Sequence, residues 1–451
     1  MRPLEWAFLL SFLPALLLPY FSFSRQRRRW LVFAALLPLI AGLPHLALEG
    51  WRAQMIPLYA LAMFVGVTRL YTLRAKGAEM HKPGRFTSSL LFLAIVIGGL
   101  LPGWLLPVIS LPEPTGPYKV GIVDRELVDK ARGRRLMASV WYPAAQSGIP
   151  AKLTNHPEAI VSGLARSFGL PVAAPFLQHL RYFKVAASNA VPAATGAAPF
   201  PILVFSHGLV GTRIQNSSTV QELASWGYVV VALDHTDAAA VTVFPDGETR
   251  LYDLQRLGIS PAEIENSTKI LLPIWVADQR FVYDALESWA ADDPLLTGKL
   301  DLQRIGSFGH SFGGATALEV CRVEPRCRAA ANLDGGINSS DGSKAAIRPF
   351  LLMTSTASNE LPEPIRDWSR LVEDAPGPAY WVELPGSSHY SFTIAPLLSP
   401  LLRLTGSDAR ASLRTVDKYL RAFFDLHLCG VSTPLLDPAS GETDVRWHSK
   451  Q

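Results

Sequence analysis

The sequence has only three cysteines, Cys321, Cys327 and Cys429, among its 451 residues. Three are too few for a disulfide framework or for a structural zinc site. Cys321 and Cys327 lie close enough in the sequence to form a disulfide in an oxidising compartment. Two unpaired, buried thiols are the alternative. The fold must therefore rest mainly on a packed core and not on cross-links.

Charged residues are also scarce, since they make up 18% of the chain against 49% hydrophobic residues. The formal net charge is +4 at pH 7. No basic patch interleaved with aromatic residues, no zinc-type spacing of Cys and His, and no phosphate-loop glycine pattern is present in the sequence. The sequence thus predicts no nucleic-acid partner, no metal and no organic cofactor, and it leaves the oligomeric state open.

Long apolar runs, by contrast, crowd the first 110 residues. Each is close to the roughly 20 residues that span a bilayer, and a cleaved signal peptide would account for only one of them. Buried core helices are the alternative, but four runs in succession favour a membrane region of four transmembrane helices. The runs are residues 4–23, 30–48, 55–73 and 89–109.

The loops between these runs differ in charge. The loops at 25–29 and 74–85 are rich in Arg and Lys, whereas the loop between them has only Arg52. The positive-inside rule places the two basic loops in the cytoplasm. We therefore expect a multi-pass protein of the bacterial cytoplasmic membrane, with everything after residue 109 on the outer, periplasmic or extracellular, face.

A proline-rich linker at 111–117 marks a domain boundary, because it is stiff and cannot continue a helix. From 118 to 430, short apolar strands alternate with helices, which predicts an α/β domain with a mostly parallel sheet and helices on both faces. The stretches 144–199 and 244–272 do not fit and are predicted to be surface insertions; residues 431–451 form a tail. The predicted strands are 135–141, 200–206, 228–233, 304–308, 329–333, 350–354 and 380–384.

One serine stands between glycines just after an apolar, strand-like run. Gly309, His310, Ser311 and Gly313 match the G-x-S-x-G elbow, in which a nucleophilic serine sits on a tight strand-to-helix turn. A helix-like stretch follows, as the motif requires. The pattern predicts that Ser311 is a nucleophile, and a structural turn serine is the alternative.

A serine hydroxyl needs an adjacent base, which in turn needs an orienting carboxylate. His389 follows a predicted strand and lies where active-site groups of an open α/β sheet converge. The later candidates, His427 and His448, lie in or beyond the last helix. His389 is therefore the predicted base, and a solvated loop histidine is the alternative.

Asp334 is the predicted acid, because it follows the apolar run 329–333, the next strand after that of the nucleophile. Asp341 and Asp374 are competitors in polar, loop-like stretches that are more typical of solvated carboxylates.

Acyl transfer also needs donors for the developing oxyanion. The backbone N–H groups of Phe312, after the nucleophile, and of Leu209, after the strand 200–206, are predicted to supply them. His207 is expected to shape this loop, and His235 to be structural or pocket-lining.

Together these motifs resemble the plasma and cytosolic type II platelet-activating-factor acetylhydrolases, which are calcium-independent lipases of the α/β-hydrolase fold. The resemblance rests on Phe-Ser-His-Gly-Leu at 205–209, Gly-His-Ser-Phe-Gly-Gly-Ala-Thr at 309–316, Leu-Asp-Gly at 333–335 and Gly-Ser-Ser-His at 386–389. It implies the same triad and oxyanion residues. The apolar amino-terminal region, the second glycine after Asp334 and the insertions depart from that family. The chain is also similar to dienelactone-hydrolase-like and polyester-hydrolase-like enzymes.

The resemblance implies a serine hydrolase of carboxylic esters that uses no cofactor. The apolar amino-terminal runs predict that it is anchored in the membrane, and a position beside a bilayer favours lipid-like esters. Esters of other kinds, or amides and peptides, are alternatives, because acyl transfer to serine does not distinguish the leaving groups. A membrane scaffold with an inactive hydrolase domain is the remaining alternative.

Overall fold

The computed structural model describes residues 1–17, 27–74, 85–196, 198–260, 262–263, 267–337, 348–360, 362–403, 408–440 and 443–448. The chain divides into two compact units. The first comprises Met1–Val108, Pro175–Leu180 and Leu398–Leu401, and the second comprises Ile109–Ala174, Arg181–Leu397 and Leu402–Gln451.

Apolar helices build the first unit, around a core that includes Phe8, Phe12 and Leu58. Helical turns of other kinds interrupt the α-helical geometry at His45–Glu49, Ala53–Met55 and Val96–Leu100. The α-helices of this region are α1 (Pro3–Leu10), α2 (Leu13–Leu17), α3 (Arg27–Pro44), α4 (Ile56–Arg74), α5 (Arg85–Ile95) and α6 (Leu101–Leu105).

Among the described residues, one helical stretch, Arg29–Glu49, is long and apolar enough to cross a membrane. The other apolar helices, Pro3–Leu17, Ala53–Thr68 and Phe92–Leu105, are shorter. The described residues therefore support one of the four predicted membrane-spanning helices. The hydropathy of a sequence shows how long an apolar run is, but it does not show where a helix begins or ends. The first apolar run is broken by a turn between α1 and α2, and the helix of the last run ends at Leu105. The basic loop residues 25–26 and 75–84 lie outside the described residues.

An 11-stranded sheet forms the centre of the second unit, in the order β13-β12-β11-β10-β9-β5-β6-β2-β1-β4-β3. Six adjacent strands, from β12 to β6, run parallel. The strands of the chain are β1 (Lys119–Asp129), β2 (Arg134–Ala144), β3 (Pro150–Lys152), β4 (Lys184–Asn189), β5 (Phe200–Ser206), β6 (Val229–Asp234), β7 (Val241–Val243), β8 (Thr249–Leu251), β9 (Leu300–His310), β10 (Cys327–Leu333), β11 (Phe350–Ser355), β12 (Ala379–Leu384) and β13 (Arg446–Trp447).

The central strands are mostly apolar and are buried along their whole length because both faces are covered. Every residue of β5, β6 and β11 is buried, as expected of parallel strands between helical layers. Among the helices, α10 packs on α11, and α9 packs on α15. The remaining α-helices are α7 (Pro157–Ser167), α8 (Ala174–Leu177), α9 (Ser217–Ser225), α10 (Ser267–Asp292), α11 (Phe312–Val323), α12 (Thr356–Asn359), α13 (Pro362–Glu373), α14 (Ala395–Leu398) and α15 (Ala409–Cys429).

The α/β-hydrolase part of the predicted fold class is confirmed, since a large and mostly parallel sheet with intervening helices is an α/β-hydrolase-like architecture. Three regions hold more regular structure than the sequence pattern indicated. The stretch 144–199 contains β3, β4 and α7, and β4 pairs with β1. The stretch 244–272 contains β8 and the start of α10, and in the tail β13 pairs with β12.

Candidate active site

The order of the strands reverses beside β5. Strand β6 follows β5 in the chain and pairs on one side of it, whereas β9 pairs on the other side. In open α/β sheets, ligands bind outside the carboxyl ends of the strands at such a switch point. The loops after β5 and β9, which carry Leu209 and Ser311, meet at this point.

Ser311 sits on a strained turn between β9 and α11, with φ 56° and ψ −124°. Its backbone N–H donates to the Leu333 carbonyl at 2.8 Å. The turn needs glycines on both sides: a Cβ at Gly313 would overlap the Ser206 carbonyl oxygen, and one at Gly309 would overlap the backbone of Gly313. The local geometry is that of a nucleophile elbow, which lifts the serine side chain off the end of the strand.

Asp334 follows β10 and is held from several directions. One carboxylate oxygen, Oδ1, accepts the backbone N–H of Ser355 at 2.7 Å. The other, Oδ2, accepts the Ser355 hydroxyl at 2.9 Å, the Ser358 hydroxyl at 2.8 Å and Nδ1 of His389 at 2.8 Å. The side chain is fully buried. The carboxylate thus has a fixed orientation toward His389.

Burial alone would raise the pKa of Asp334, but the hydrogen bond and the charge of His389, together with the donors from Ser355 and Ser358, outweigh it and lower the pKa. The carboxylate is therefore ionised near neutral pH. An ionised acceptor keeps the proton of His389 on Nδ1 and leaves Nε2 free to accept a proton.

His389 lies at the start of a short 3-10 turn, His389–Phe392, and its side chain is 37% exposed. No hydrogen bond joins the hydroxyl of Ser311 to the imidazole of His389, both of which are described residues. Such bonds are often long in the free form of an enzyme and tighten when substrate binds. The structure therefore brings Asp334 and His389 into contact, with Ser311 on the adjoining turn.

The two predicted oxyanion donors lie on a hydrogen-bonded loop and at the start of a helix. The Gly208 carbonyl accepts the Gly211 N–H at 2.8 Å and Nδ1–H of His207 at 2.6 Å. The Gly208 carbonyl and the Leu209 N–H belong to the same trans peptide and point in opposite directions. The Leu209 N–H therefore points away from Gly211 and from the imidazole of His207. Phe312 begins α11, where a helix leaves its N–H groups without helical partners. His207 thus holds the loop, as the sequence indicated.

His310, the elbow residue before Ser311, is buried beside His389, with ring centroids 4.5 Å apart. Its Nε2 lies 2.8 Å from the His389 carbonyl oxygen, and its Nδ1 lies 2.6 Å from Nε2 of Gln215. Burial, followed by the nearby charge of His389, lowers the pKa of His310 to about 3. The ring is therefore neutral and belongs to the support of the site.

His235 belongs to a second, buried arrangement of Ser, His and Asp. Its Nε2 lies 2.8 Å from the Ser206 hydroxyl and its Nδ1 lies 3.1 Å from Oδ2 of Asp278. The ring stacks on Trp275 at 3.8 Å, and all of these side chains are fully buried. Burial lowers the pKa of His235 to about 4. With no exposed atom to meet a substrate, this group is structural.

The other predicted site residues are placed as follows. Cys321 and Cys327 form a disulfide with their Cα atoms 4.9 Å apart, and Cys429 is free. Asp374 is exposed just beyond α13, and Asp341 lies outside the described residues. No cluster of three potential metal ligands occurs in the ranges that the structure describes.

Three site residues were missed from the sequence: Ser355, Ser358 and Gln215. The serines could have been found, because Ser355 ends β11 and Ser358 follows that strand, at the same end of the sheet as Asp334. Gln215 gives no such signal, since it lies between elements and is 95 residues away from its partner His310.

Sequence comparison agrees with the lipase-like motifs. Residues 106–270 match the family model of platelet-activating factor acetylhydrolase, isoform II. This segment covers less than half of the chain and ends before Ser311. The platelet-activating factor acetylhydrolase of Cavia porcellus is 29% identical over 50% of this chain and 55% of its own length. A probable 1-alkyl-2-acetylglycerophosphocholine esterase of Arthroderma benhamiae is 26% identical over 74% of this chain and 92% of its own.

A solved structure, the ferulic acid esterase of Streptomyces cinnamoneus, is similar over 75% of this chain and 99% of its own, with a TM-score of 0.61 and 29% sequence identity. The fold, the elbow and these similar proteins agree on one class. The chain is an ester hydrolase with an α/β-hydrolase-like fold.

Proposed function

We propose that the chain cleaves carboxylic esters through an acyl-enzyme intermediate on Ser311. The observation that carries this proposal is the ionised Asp334, held by three groups besides His389 and bonded to Nδ1 of that imidazole beside a strained serine elbow. A buried carboxylate in this position fixes the base in the tautomer that the reaction needs.

In the proposed reaction, the Ser311 oxygen attacks the ester carbonyl while Nε2 of His389 takes the hydroxyl proton. The N–H groups of Leu209 and Phe312 stabilise the oxyanion of the tetrahedral intermediate. His389 then gives the proton to the leaving alcohol, which departs as the serine ester forms. Water, deprotonated by the same nitrogen, cleaves that ester and regenerates the free serine.

The test combines a fluorophosphonate probe with hydrolysis of a short-chain p-nitrophenyl ester by the full chain. We expect the wild type to be labelled and active, and Ser311→Ala to be neither. Ser307→Ala is a matched control, because Ser307 lies on β9 but is buried and bonded to Gln279. Activity retained by Ser311→Ala would contradict the assignment of the nucleophile.

For the substrate, we propose a lipid-like ester with a short acyl chain. The names of the similar acetylhydrolases support this, whereas the ferulic acid esterase supports an aromatic acyl group as the second candidate. A comparison of kcat/KM for a 2-acetyl phospholipid and a feruloyl ester distinguishes them. Higher kcat/KM for the feruloyl ester would refute the lipid proposal.

We further propose that the first unit anchors the enzyme in a bacterial cytoplasmic membrane, with the hydrolase unit on the outer face. Large apolar side chains are exposed on this unit, including Leu43 at 67%, Leu48 at 79% and Phe64 at 66%. An exposed surface of this kind is typical of contact with lipid. The Cys321–Cys327 disulfide is consistent with an oxidising compartment.

Whether the anchor has one span or four is decided by cysteine labelling of the loops in intact cells. With Cys429 replaced by Ser, single cysteines placed near residues 28, 51, 80 and 112 are exposed to an impermeant maleimide. The four-span topology predicts labelling at 51 and 112 only. Labelling at 80 without permeabilisation would contradict it.

A further inference from the structure

We infer that Gln215 is a positioning residue that fixes the oxyanion loop, the nucleophile elbow and the loop of His389 in one hydrogen-bonded arrangement. This inference rests on the proposed function, since it concerns the same site. Gln215 lies in the turn before α9 and is half-buried. It is outside the triad and supplies no oxyanion donor.

The side chain of Gln215 bridges two of these segments. Its Oε1 accepts the backbone N–H of Gly208 at 3.0 Å, and its Nε2 lies 2.6 Å from Nδ1 of His310. At the far side of that ring, Nε2 of His310 lies 2.8 Å from the His389 carbonyl oxygen. Three hydrogen bonds in series therefore connect the N–H of Gly208, the residue before Leu209, to the backbone carbonyl of His389.

The protons in this series can be arranged in only one way. The Gly208 N–H can only donate, so the Gln215 atom beside it is the amide oxygen and the amide nitrogen faces His310. Nδ1 of His310 must then accept, and the ring proton lies on Nε2, where it donates to the His389 carbonyl, which can only accept. Gln215 thereby specifies the neutral, Nε2-protonated form of His310.

Two further hydrogen bonds of the same turn, one from its backbone and one from the side chain of Asn216, strengthen the link to the loop of the base. The Gln215 carbonyl accepts the Ile394 N–H at 3.1 Å, and the Asn216 amide donates to the Phe392 carbonyl at 2.7 Å. His389 is thus held through its imidazole by Asp334 and through its backbone by His310. Loss of the Gln215 side chain would remove the donor to Nδ1 of His310 and with it the group that orients the ring for the second of these attachments.

In the chain as described, the titratable groups that face His310 are His389 and Asp334. The ring of Phe392, with its centroid 6.4 Å from that of His310, is apolar.

A carboxylate at position 215 can still accept the Gly208 N–H but has no N–H for Nδ1 of His310. It also adds a negative charge beside the two imidazoles, which favours their protonated forms.

The test measures kcat, KM and their pH dependence for Gln215→Met and Gln215→Glu with a p-nitrophenyl ester, together with Tm. Gln221→Met is the control, because Gln221 also uses its amide to join two backbone groups, the Ala186 N–H and the Pro112 carbonyl. We expect Gln215→Met to lower kcat by about 10- to 100-fold with little change in KM, since small displacements of reacting groups have effects of this size. We expect Gln215→Glu to move the acid limb of kcat/KM to higher pH.

The inference is overturned if both variants keep the wild-type kcat and pH profile, or if kcat falls only in proportion to a loss of folded protein that Gln221→Met shares. Failure of the proposed function has a different signature, because the wild type would then be inactive or Ser311→Ala would remain active. If Gln215→Met folds poorly, the kcat of Gln215→Glu decides, because the carboxylate keeps the bond to the Gly208 N–H but cannot donate to His310; a folded Gln215→Glu with the wild-type kcat would overturn the inference.

Discussion

Replacement of Asp334 by Asn tests the tautomer of the base. Asparagine has the same shape but one oxygen and one NH2 group in place of two oxygens. The oxygen must face the Ser355 N–H, which can only donate. The NH2 group then faces His389 and the hydroxyls of Ser355 and Ser358. The hydroxyls can rotate to accept, so only the imidazole has to change.

An NH2 donor opposite Nδ1 forces the His389 proton onto Nε2, the nitrogen that must accept from Ser311. Substitution of a triad aspartate by asparagine lowers kcat on the order of 10⁴-fold for this reason in a well-studied serine protease. That factor corresponds to about 5 kcal/mol of transition-state stabilisation. Because the amide satisfies the buried Ser355 N–H, we expect Asp334→Asn to fold.

The assay is kcat/KM for a p-nitrophenyl ester at pH 7 to 8, with Tm measured in parallel. Asp374→Asn is the matched control, since Asp374 is exposed, and we expect wild-type kinetics from it. If Asp334→Asn kept more than about a tenth of the wild-type kcat/KM while remaining folded, the Asp334–His389 pair would not be setting the tautomer, and the proposed mechanism would be wrong.

Three further outcomes follow from the packing. Gly313→Ala should lower Tm and activity together, because its Cβ would overlap the carbonyl at the end of β5, whereas Gly377→Ala meets no atom within 4 Å and should have little effect. Thiol titration of the denatured protein should find one free thiol before reduction and three after it, if Cys321 and Cys327 are paired. Burial raises the pKa of Asp417 to about 8. Between about pH 4 and 8 the folded state therefore holds a proton on this carboxyl that the unfolded state has lost, so Tm should fall as the pH rises through that range. The fall should be smaller in Asp417→Asn, which has no proton to lose.

The central strands could be predicted because burial on both faces leaves an unbroken apolar run. Strand β5 begins and ends at the predicted residues, 200 and 206. Strand β1 was missed: Asp124, Arg125 and Glu126 interrupt its apolar pattern, since it lies outside the parallel core and pairs with β2. In the first unit the error was the opposite one, since long helices were predicted where the structure has shorter ones. Apolar composition indicates burial or lipid contact but does not set where a helix ends.

The residues around Ser311 were predicted from chain order and from their positions after strands. Their supports were not, because a hydrogen bond such as that between Gln215 and His310 depends on the register of distant loops. No local pattern indicates which tautomer a ring adopts. Sequence reasoning therefore identifies the candidate reacting groups of this site more readily than the groups that orient them.

The two Ser–His–Asp arrangements show why geometry alone does not identify a catalytic group. In both, a histidine bonds through Nδ1 to a buried aspartate. A general base must gain and lose a charge during turnover, and full burial penalises the charged form. His235 is fully buried and its pKa falls to about 4, so it stays neutral and serves the core. His389 keeps more than a third of its side chain exposed, so its charged form remains partly solvated. Access to solvent, added to the shared hydrogen-bond pattern, is what qualifies His389 for the proposed role and excludes His235 from it.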